Sequence, residues 1–294
     1  MGGRKENEAT VVRGRRSCNI RPRSRRGRRP CRYDALLIRP GQSVRAVTQE
    51  QSPGVSTASE PTGGWGAPAG LLAVLAIGLL AVPGLVASYW LHGALNAFYI
   101  LFCLFYSTNL VICYWEMCLY FRRDEIESRV DHWRKWQIDT GRTPAVEFLT
   151  ARVPLKRILS PTVWADVWAT YSMFDSAYAD RNTYGFNIDI ANGFTTPAST
   201  VFLYAAFTSG EVPAIATGIV GAMLFWQWTY ASTLYLVSFF VGQKQRRVTT
   251  REFSVYIFGP NAIWILIPIV GLYVSIRLIL DGDYSVLGLN SILP

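Results

Sequence analysis

The feature that most limits this chain is where its charges are missing. No Asp, Glu, Lys or Arg occurs between Pro61 and Trp115, and further uncharged runs extend from Ile190 to Gly210, Val212 to Gln243 and Phe253 to Ile276. A helix crossing the hydrocarbon core of a bilayer needs roughly 20 apolar residues, so the first run has room for two helices and the others supply three more. The break in the first run falls at Trp90-Leu91-His92-Gly93. The pattern predicts an all-α polytopic membrane bundle of five transmembrane helices. Composition agrees, because 50% of the chain is hydrophobic and only 17% is charged, against about a quarter charged in ordinary soluble domains.

Pro83, Pro197, Pro260 and Pro268 lie in or at the ends of these spans, which a helix in lipid tolerates where neighbours satisfy the freed backbone groups. Tyr89, Trp90, Tyr120, Phe121 and Tyr256 gather near span ends, where amphipathic rings favour the headgroup layer. A cleaved secretory signal is not expected, since the first apolar run starts late and is long enough to span.

The formal charge of +9 is unevenly placed. Residues 1–50 hold 14 Lys/Arg against 4 acidic residues, a net +10, and the other 244 residues carry 15 against 16, a net −1. Lys and Arg accumulate on the cytoplasmic side of a membrane. By that rule the basic tail is inside, the turn at His92 is outside, and the segment 122–185, with ten Lys/Arg, is inside. The turn at Glu211 is then outside, Lys244, Arg246, Arg247 and Arg251 are inside, and Asp281 and Asp283 end the chain outside. The expected organisation is a disordered Arg-rich tail over 1–62, a first transmembrane helix over 63–92, a four-helix membrane domain over 93–280 containing the cytoplasmic segment, and a short tail over 281–294.

The stretch RGRRSCNIRPRSRRGRRPCR at 13–32 has almost no apolar content and cannot bury a core. It reads as an organelle transit segment, an anionic-lipid patch or a nucleic-acid arm on one side, and as a topology anchor or an upstream extension on the other. Cys18 and Cys31 lie in this tail and Cys103, Cys113 and Cys118 in or just after the second span, so no disulfide framework emerges. With His92 and His132 alone and no paired Cys-x-x-Cys, no metal site is expected. Gly-rich phosphate loops and Gly-x-Ser-x-Gly elbows are also missing, and no cofactor is expected.

The candidate chemistry is therefore polar chemistry inside the membrane, where ionisable residues are costly. Tyr106, Asn109, Cys113 and Glu116 follow one another at offsets of 3, 4 and 3, which stacks them on one helical face. Glu116 reads either as an intramembrane acid or as a residue meeting water at the cytoplasmic end. Ser160-Pro161-Thr162 opens an amphipathic interfacial helix bearing Trp164, Trp168, Tyr171 and Phe174 beside Asp166 and Asp175. Its aromatic stripe reads as packing or as a binding wall. In the third span Asp189, Asn192 and Thr196 share a face, and Asp189 reads either as an acid turned into the bundle or as a cap at the membrane edge. Gln227, Tyr230 and Ser232 lie in an aromatic part of the fourth span, and the fifth carries Asn261 and Trp264. A carboxylate, amides and ring faces in a low-dielectric cavity suit protonation of an alkene and cation–π stabilisation of the resulting carbocation.

Three pieces carry a resemblance: Asn109-Leu-Val-Ile-Cys113-Tyr-Trp115, Trp168-Ala-Thr-Tyr171-Ser-Met-Phe-Asp175-Ser-Ala-Tyr178, and Asn261-Ala-Ile-Trp264-Ile-Leu-Ile-Pro268. In this order and on these spans, from about Phe98 to Leu280, the chain resembles the emopamil-binding proteins. These are EXPERA-type membrane bundles, and they include the isomerase that moves a sterol ring double bond from the 8-ene to the 7-ene position. The resemblance implies one helix plus a four-helix unit in which acids shuttle a proton between ring carbons while a Trp stabilises the cation between.

Asn261 and Trp264 match the family's last-span Asn and Trp, and Tyr230 and Tyr235 match its fourth-span tyrosines. Asp189 is the sole third-span acid, with Asn192 and Thr195 nearer the family's Glu position. Where the family carries His and Glu in the second span, this chain has Asn109 and Cys113, and neither an amide nor a thiol replaces a carboxylate as proton carrier near neutral pH. Glu116 stands three residues beyond Cys113, about 4.5 Å along the axis at ~1.5 Å per residue.

The expected function is an isomerase-like shift of a double bond in a sterol or terpenoid. Asp189, Glu116, Trp264 and Asn261 are its catalytic candidates, and Asn109, Cys113, Tyr171, Asp175, Asn192, Tyr230 and Tyr235 line the substrate. The alternative is a non-catalytic protein binding sterols or cationic amphiphiles, with Asp189 or Asp175 pairing an amine. The partners expected are a sterol, terpenoid or other hydrophobic small molecule, the lipid bilayer and, optionally, a second copy forming a homodimer; nucleic acid is not expected. The host membrane would be the endoplasmic reticulum in a eukaryote and the plasma membrane in a bacterium.

Overall fold

The structure, a computed structural model, describes residues 65–289; the Arg-rich tail and residues 290–294 lie outside the described residues. Nearly everything described is helical. Helix α1 (Ala69–His92) starts after Pro68 and stops where Gly93 takes φ +73°, its N–H closing onto the Tyr89 carbonyl. This is the expected break, and it works because a left-handed residue ends a helix most cheaply when it has no Cβ. Asn96 then caps α2 (Ala97–Phe121) by accepting from the Phe98 N–H at 2.7 Å.

Between α2 and the next long helix, the sequence reading expects one amphipathic helix; the structure has three. They are α3 (Arg123–Thr140), with Asp124 and Glu125 in its first turn, the short α4 (Pro144–Thr150) and α5 (Pro161–Tyr171). Prolines open α4 and α5 where the missing N–H costs nothing. The aromatic stripe of α5 faces the protein: Trp164 and Trp168 are buried, and Trp164 stacks on Trp115 of α2 with centroids 5.5 Å apart. A buried ion pair between Arg129 and Asp166 (3.1 Å), with the Trp133 indole donating to Asp166 at 2.9 Å, ties α3 to α5. Burial raises the Asp166 carboxyl above its ordinary range against the opposing pull of Arg129. A small antiparallel pair, β1 (Gly66–Pro68) with β2 (Arg152–Pro154), fastens the start of α1 to this layer.

The remaining elements are α6 (Tyr184–Ser209), α7 (Ala214–Val241) and a continuous C-terminal run. That run begins with a single turn, α8 (Thr250–Glu252), set by a Thr249–Glu252 capping box. It passes through a π-helical stretch at Phe253–Phe258 and ends as α9 (Gly259–Asp281). Helix α2 packs along α6, and α7 along α9. Among the described residues, three helical segments are long and apolar enough to cross a membrane: Ala69–His92, Ala97–Phe121 and Thr250–Asp281. Helices α6 and α7 have the length for it at 26 and 28 residues, but their Asn, Thr, Ser, Gln and Tyr content makes them less apolar.

Candidate active site

Two helix pairs, together with α4 and α5, line a half-open cavity of about 410 Å³. Glu116 comes from α2, Asp189 and Asn192 from α6, Gln227, Trp228, Ser232 and Tyr235 from α7, and Asn261 and Trp264 from α9. Phe148 of α4, Trp168 and Tyr171 of α5, and Tyr178 close the side nearest the α3–α5 layer. The volume lies within the roughly 300–1,000 Å³ typical of small-molecule pockets. Most of the wall is apolar or aromatic, so the carboxylates are its strongest polar features.

Helix boundaries decide how the two acids sit. Helix α2 runs on past Glu116 to Phe121, which leaves the residue 4% exposed within the bundle rather than at its end. Its carboxylate accepts from the Asn192 amide at 2.6 Å, and the Asn192 carbonyl accepts from the Trp228 indole at 3.0 Å. These two bonds fix the amide orientation and link α2, α6 and α7. The approach depends on Gly193, where an added Cβ would lie 2.7 Å from the Glu116 Cβ and 3.1 Å from the Cys113 carbonyl oxygen. Helix α6 is capped by Thr183, which accepts from the Phe186 N–H. Asp189 is therefore not the cap; it lies more than a turn inside the helix and shares the cavity wall with Tyr178. Burial first, and the Asp189 charge second, push the Tyr178 phenol well above its ordinary range, so it stays a hydroxyl donor.

The end of the cavity at α9 is shaped by the irregular turn before it. Pro260 supplies no N–H, the preceding residues widen to a π-helix, and the Asn261 amide donates to the Ile257 carbonyl at 2.8 Å. π-Bulges of this kind concentrate at functional sites because they re-aim side chains. Here they leave Pro260, Asn261 and Tyr256 on the cavity wall. The Trp264 indole donates to Asn109 at 3.3 Å, which holds its ring against the cavity.

Of the residues expected at the site, Glu116, Asp189, Asn192, Tyr171, Tyr235, Asn261 and Trp264 are brought together. Four others lie elsewhere. Asn109 is buried beneath the cavity, where it accepts from Trp264 and donates to Thr200 at 3.1 Å, and Cys113 lies beside it, 3.3 Å from the Thr196 hydroxyl. Asp175 is buried outside the cavity between Tyr235 and Lys244. Tyr230 is 52% exposed on the outer face of α7, stacked on Trp226. The physical reason is angular: Tyr230 is two residues from both Trp228 and Ser232, about 160° around a helix of 3.6 residues per turn from these two wall residues, which turns it to the opposite face.

Sequence reasoning missed Trp228 as the anchor of Asn192 and Tyr178 as a wall residue of the same cavity as Asp189. The Asn192-Gly193 pair inside an apolar helix was the available signal of a close helix approach. Among the described residues no cluster of His, Cys, Asp and Glu could hold a metal ion. No family model, curated protein or solved structure matches this chain.

Proposed function

We propose that this chain is a five-span membrane protein that shifts a carbon–carbon double bond in a sterol or terpenoid, α1, α2, α6, α7 and the 250–281 run being the spans. The observation that carries the proposal is the meeting of Glu116 and Asp189, from different helices, in one largely apolar cavity beside Trp264. Two acids in such a cavity supply one group to give a proton and another to take one. One carboxyl gives its proton to an alkene carbon, and the π electrons form the new C–H bond. The neighbouring carbon is left cationic, facing the Trp264 and Trp228 rings. The other carboxylate removes a proton from the next carbon, whose C–H electrons close the new double bond. Asp189, on the wall it shares with Tyr178, and Glu116, bonded to Asn192, fill these two roles. The substrate enters sideways from lipid, on the leaflet next to the 122–185 layer, which the distribution of Lys and Arg makes cytoplasmic.

The likeness to emopamil-binding proteins supports the sterol class, and the two-acid cavity supplies an answer to the Asn109 and Cys113 departures. The test is incubation of the purified protein with 8-ene sterols and terpenoid alkenes in deuterated water. Deuterium should enter a ring or chain carbon with the wild-type protein and cease to enter with Asp189→Asn. Tight binding of a hydrophobic tertiary amine with no exchange into any alkene would replace this reading by the non-catalytic one. The burial of Asn109 and Cys113 in hydrogen bonds, away from the cavity, is the observation that favours that second reading.

A further inference from the structure

Asp175 sits outside the cavity yet is among the most completely enclosed acids in the molecule, with a side chain 0% exposed. Three donors reach its carboxylate. The Ala177 N–H reaches one oxygen at 2.9 Å, the Tyr235 hydroxyl reaches the other at 2.9 Å, and Lys244 spans both at 2.8 and 3.2 Å. Two of these contacts lead to the cavity wall. The Ala177 bond shapes the single 3₁₀ turn Ser176–Ala179 that delivers Tyr178, and Tyr235 itself lines the cavity. Lys244 reaches back from beyond the end of α7, with its Nζ 5.9 Å from the centre of the Phe239 ring.

A second feature concerns how Lys244 gets there. Gln243, the residue before it, has φ +53°, and among the described residues no other non-glycine has a positive φ. A left-handed non-glycine residue is a strained choice that persists where surrounding contacts demand it. Directly after this turn the Lys244 side chain reaches Asp175, whereas Arg246 and Arg247, farther along, are exposed.

We propose that Lys244 is a positioning residue: pairing with Asp175, it latches the end of α7 to the Ser176–Ala179 turn and thereby sets Tyr235 and Tyr178 beside Asp189. This rests on the proposed proton-transfer reading for its effect on turnover, but the latch itself is separately measurable. Lys244→Met keeps most of the apolar stem and removes the charge, and Lys244→Arg restores a cation of similar reach.

Two readouts apply to full-length protein in micelles. Deuterium exchange into an 8-ene sterol should fall about tenfold in kcat with KM little changed in K244M, the scale of a small misplacement of reacting groups, and K244R should recover most of it. Labelling by N,N′-dicyclohexylcarbodiimide, which attacks carboxyl groups in apolar surroundings, should leave Asp175 unmodified in the wild type and modify it in K244M. Equal labelling of Asp175 in both proteins, or unchanged turnover in K244M, overturns the latch. Should the wild type show no exchange at all, the proposed function fails, while the labelling comparison still decides whether Lys244 holds Asp175.

Discussion

The two ends of the same four helices are built differently. At the end away from the α3–α5 layer, Phe102 and Tyr106 of α2, Phe207 of α6 and Phe225 of α7 are all fully buried, and their rings meet at 5.4 to 6.2 Å. At the other end, these helices carry Glu116, Asp189, Asn192 and Gln227 and leave a cavity. Along α7 the change takes place between Phe225 and Gln227. A packed aromatic end can hold helices in register without help from the other end. That freedom lets the second end keep an incompletely filled, partly polar interior, which would otherwise be a destabilising defect.

The seam between the ends is polar. Trp264 belongs to the cavity, but its indole is held from below by Asn109, which also bonds Thr200 on α6. Asn109 and Cys113 thus serve helix pairing through Thr200 and Thr196 of α6, while Glu116, one turn nearer the α3–α5 layer, faces the cavity.

Substitutions at the two ends should separate stability from chemistry. The largest effect is expected from Phe225→Ala, which empties the centre of the packed end and should cost about 3–5 kcal/mol, read as a lowered unfolding midpoint in micelles. Protein that remains folded should still exchange deuterium, because the cavity acids are untouched. Glu116→Gln should do the reverse. The amide preserves an acceptor for Asn192, so the unfolding midpoint stays near wild type, while exchange into the alkene drops by about a hundredfold, as for loss of a general acid or base. Retained exchange in that variant would remove Glu116 from the mechanism.

Gly193→Ala probes the junction of the two. Its Cβ would lie 2.7 Å from that of Glu116, an overpacking that should cost about 1–3 kcal/mol and lower exchange as well, since α2 and α6 must part. An unaltered protein would mean that the helices can separate without disturbing the acid. Tyr230→Phe should do least. Its ring is half exposed on the outer face, and removal of its hydroxyl should change exchange by no more than about twofold, the range of surface substitutions. A larger loss would bring Tyr230 into the site despite its position.

How far these features could be read from sequence depends on their range. The helix break at Gly93 and the start of α5 at Pro161 were legible, because glycine and proline act on their own backbone. The face shared by Asn109, Cys113 and Glu116 was legible from helical spacing. The partners on the far side were not: nothing in the spacing of α6 and α7 states that Asn192 stands between Glu116 and Trp228, or that Lys244 folds back to Asp175 across a sequence separation of 69 residues. The helical α3–α5 layer was likewise only partly visible. Its burial comes from the Arg129–Asp166 pair and from aromatic contacts with α2, not from a run of apolar residues.

The sequence by itself determined an all-helical chain with uncharged segments, the position of their ends, and the small set of polar residues inside them, because hydropathy and backbone preference are local properties. The tertiary structure alone decided which of those polar residues meet. Glu116 and Asp189 came to share a cavity, Asn109 and Asp175 became supports, and Tyr230 turned outward. The reason is that helix rotation and approach are set by side-chain fit between elements, at places such as Gly193, where the absence of a single methyl group lets two helices close together.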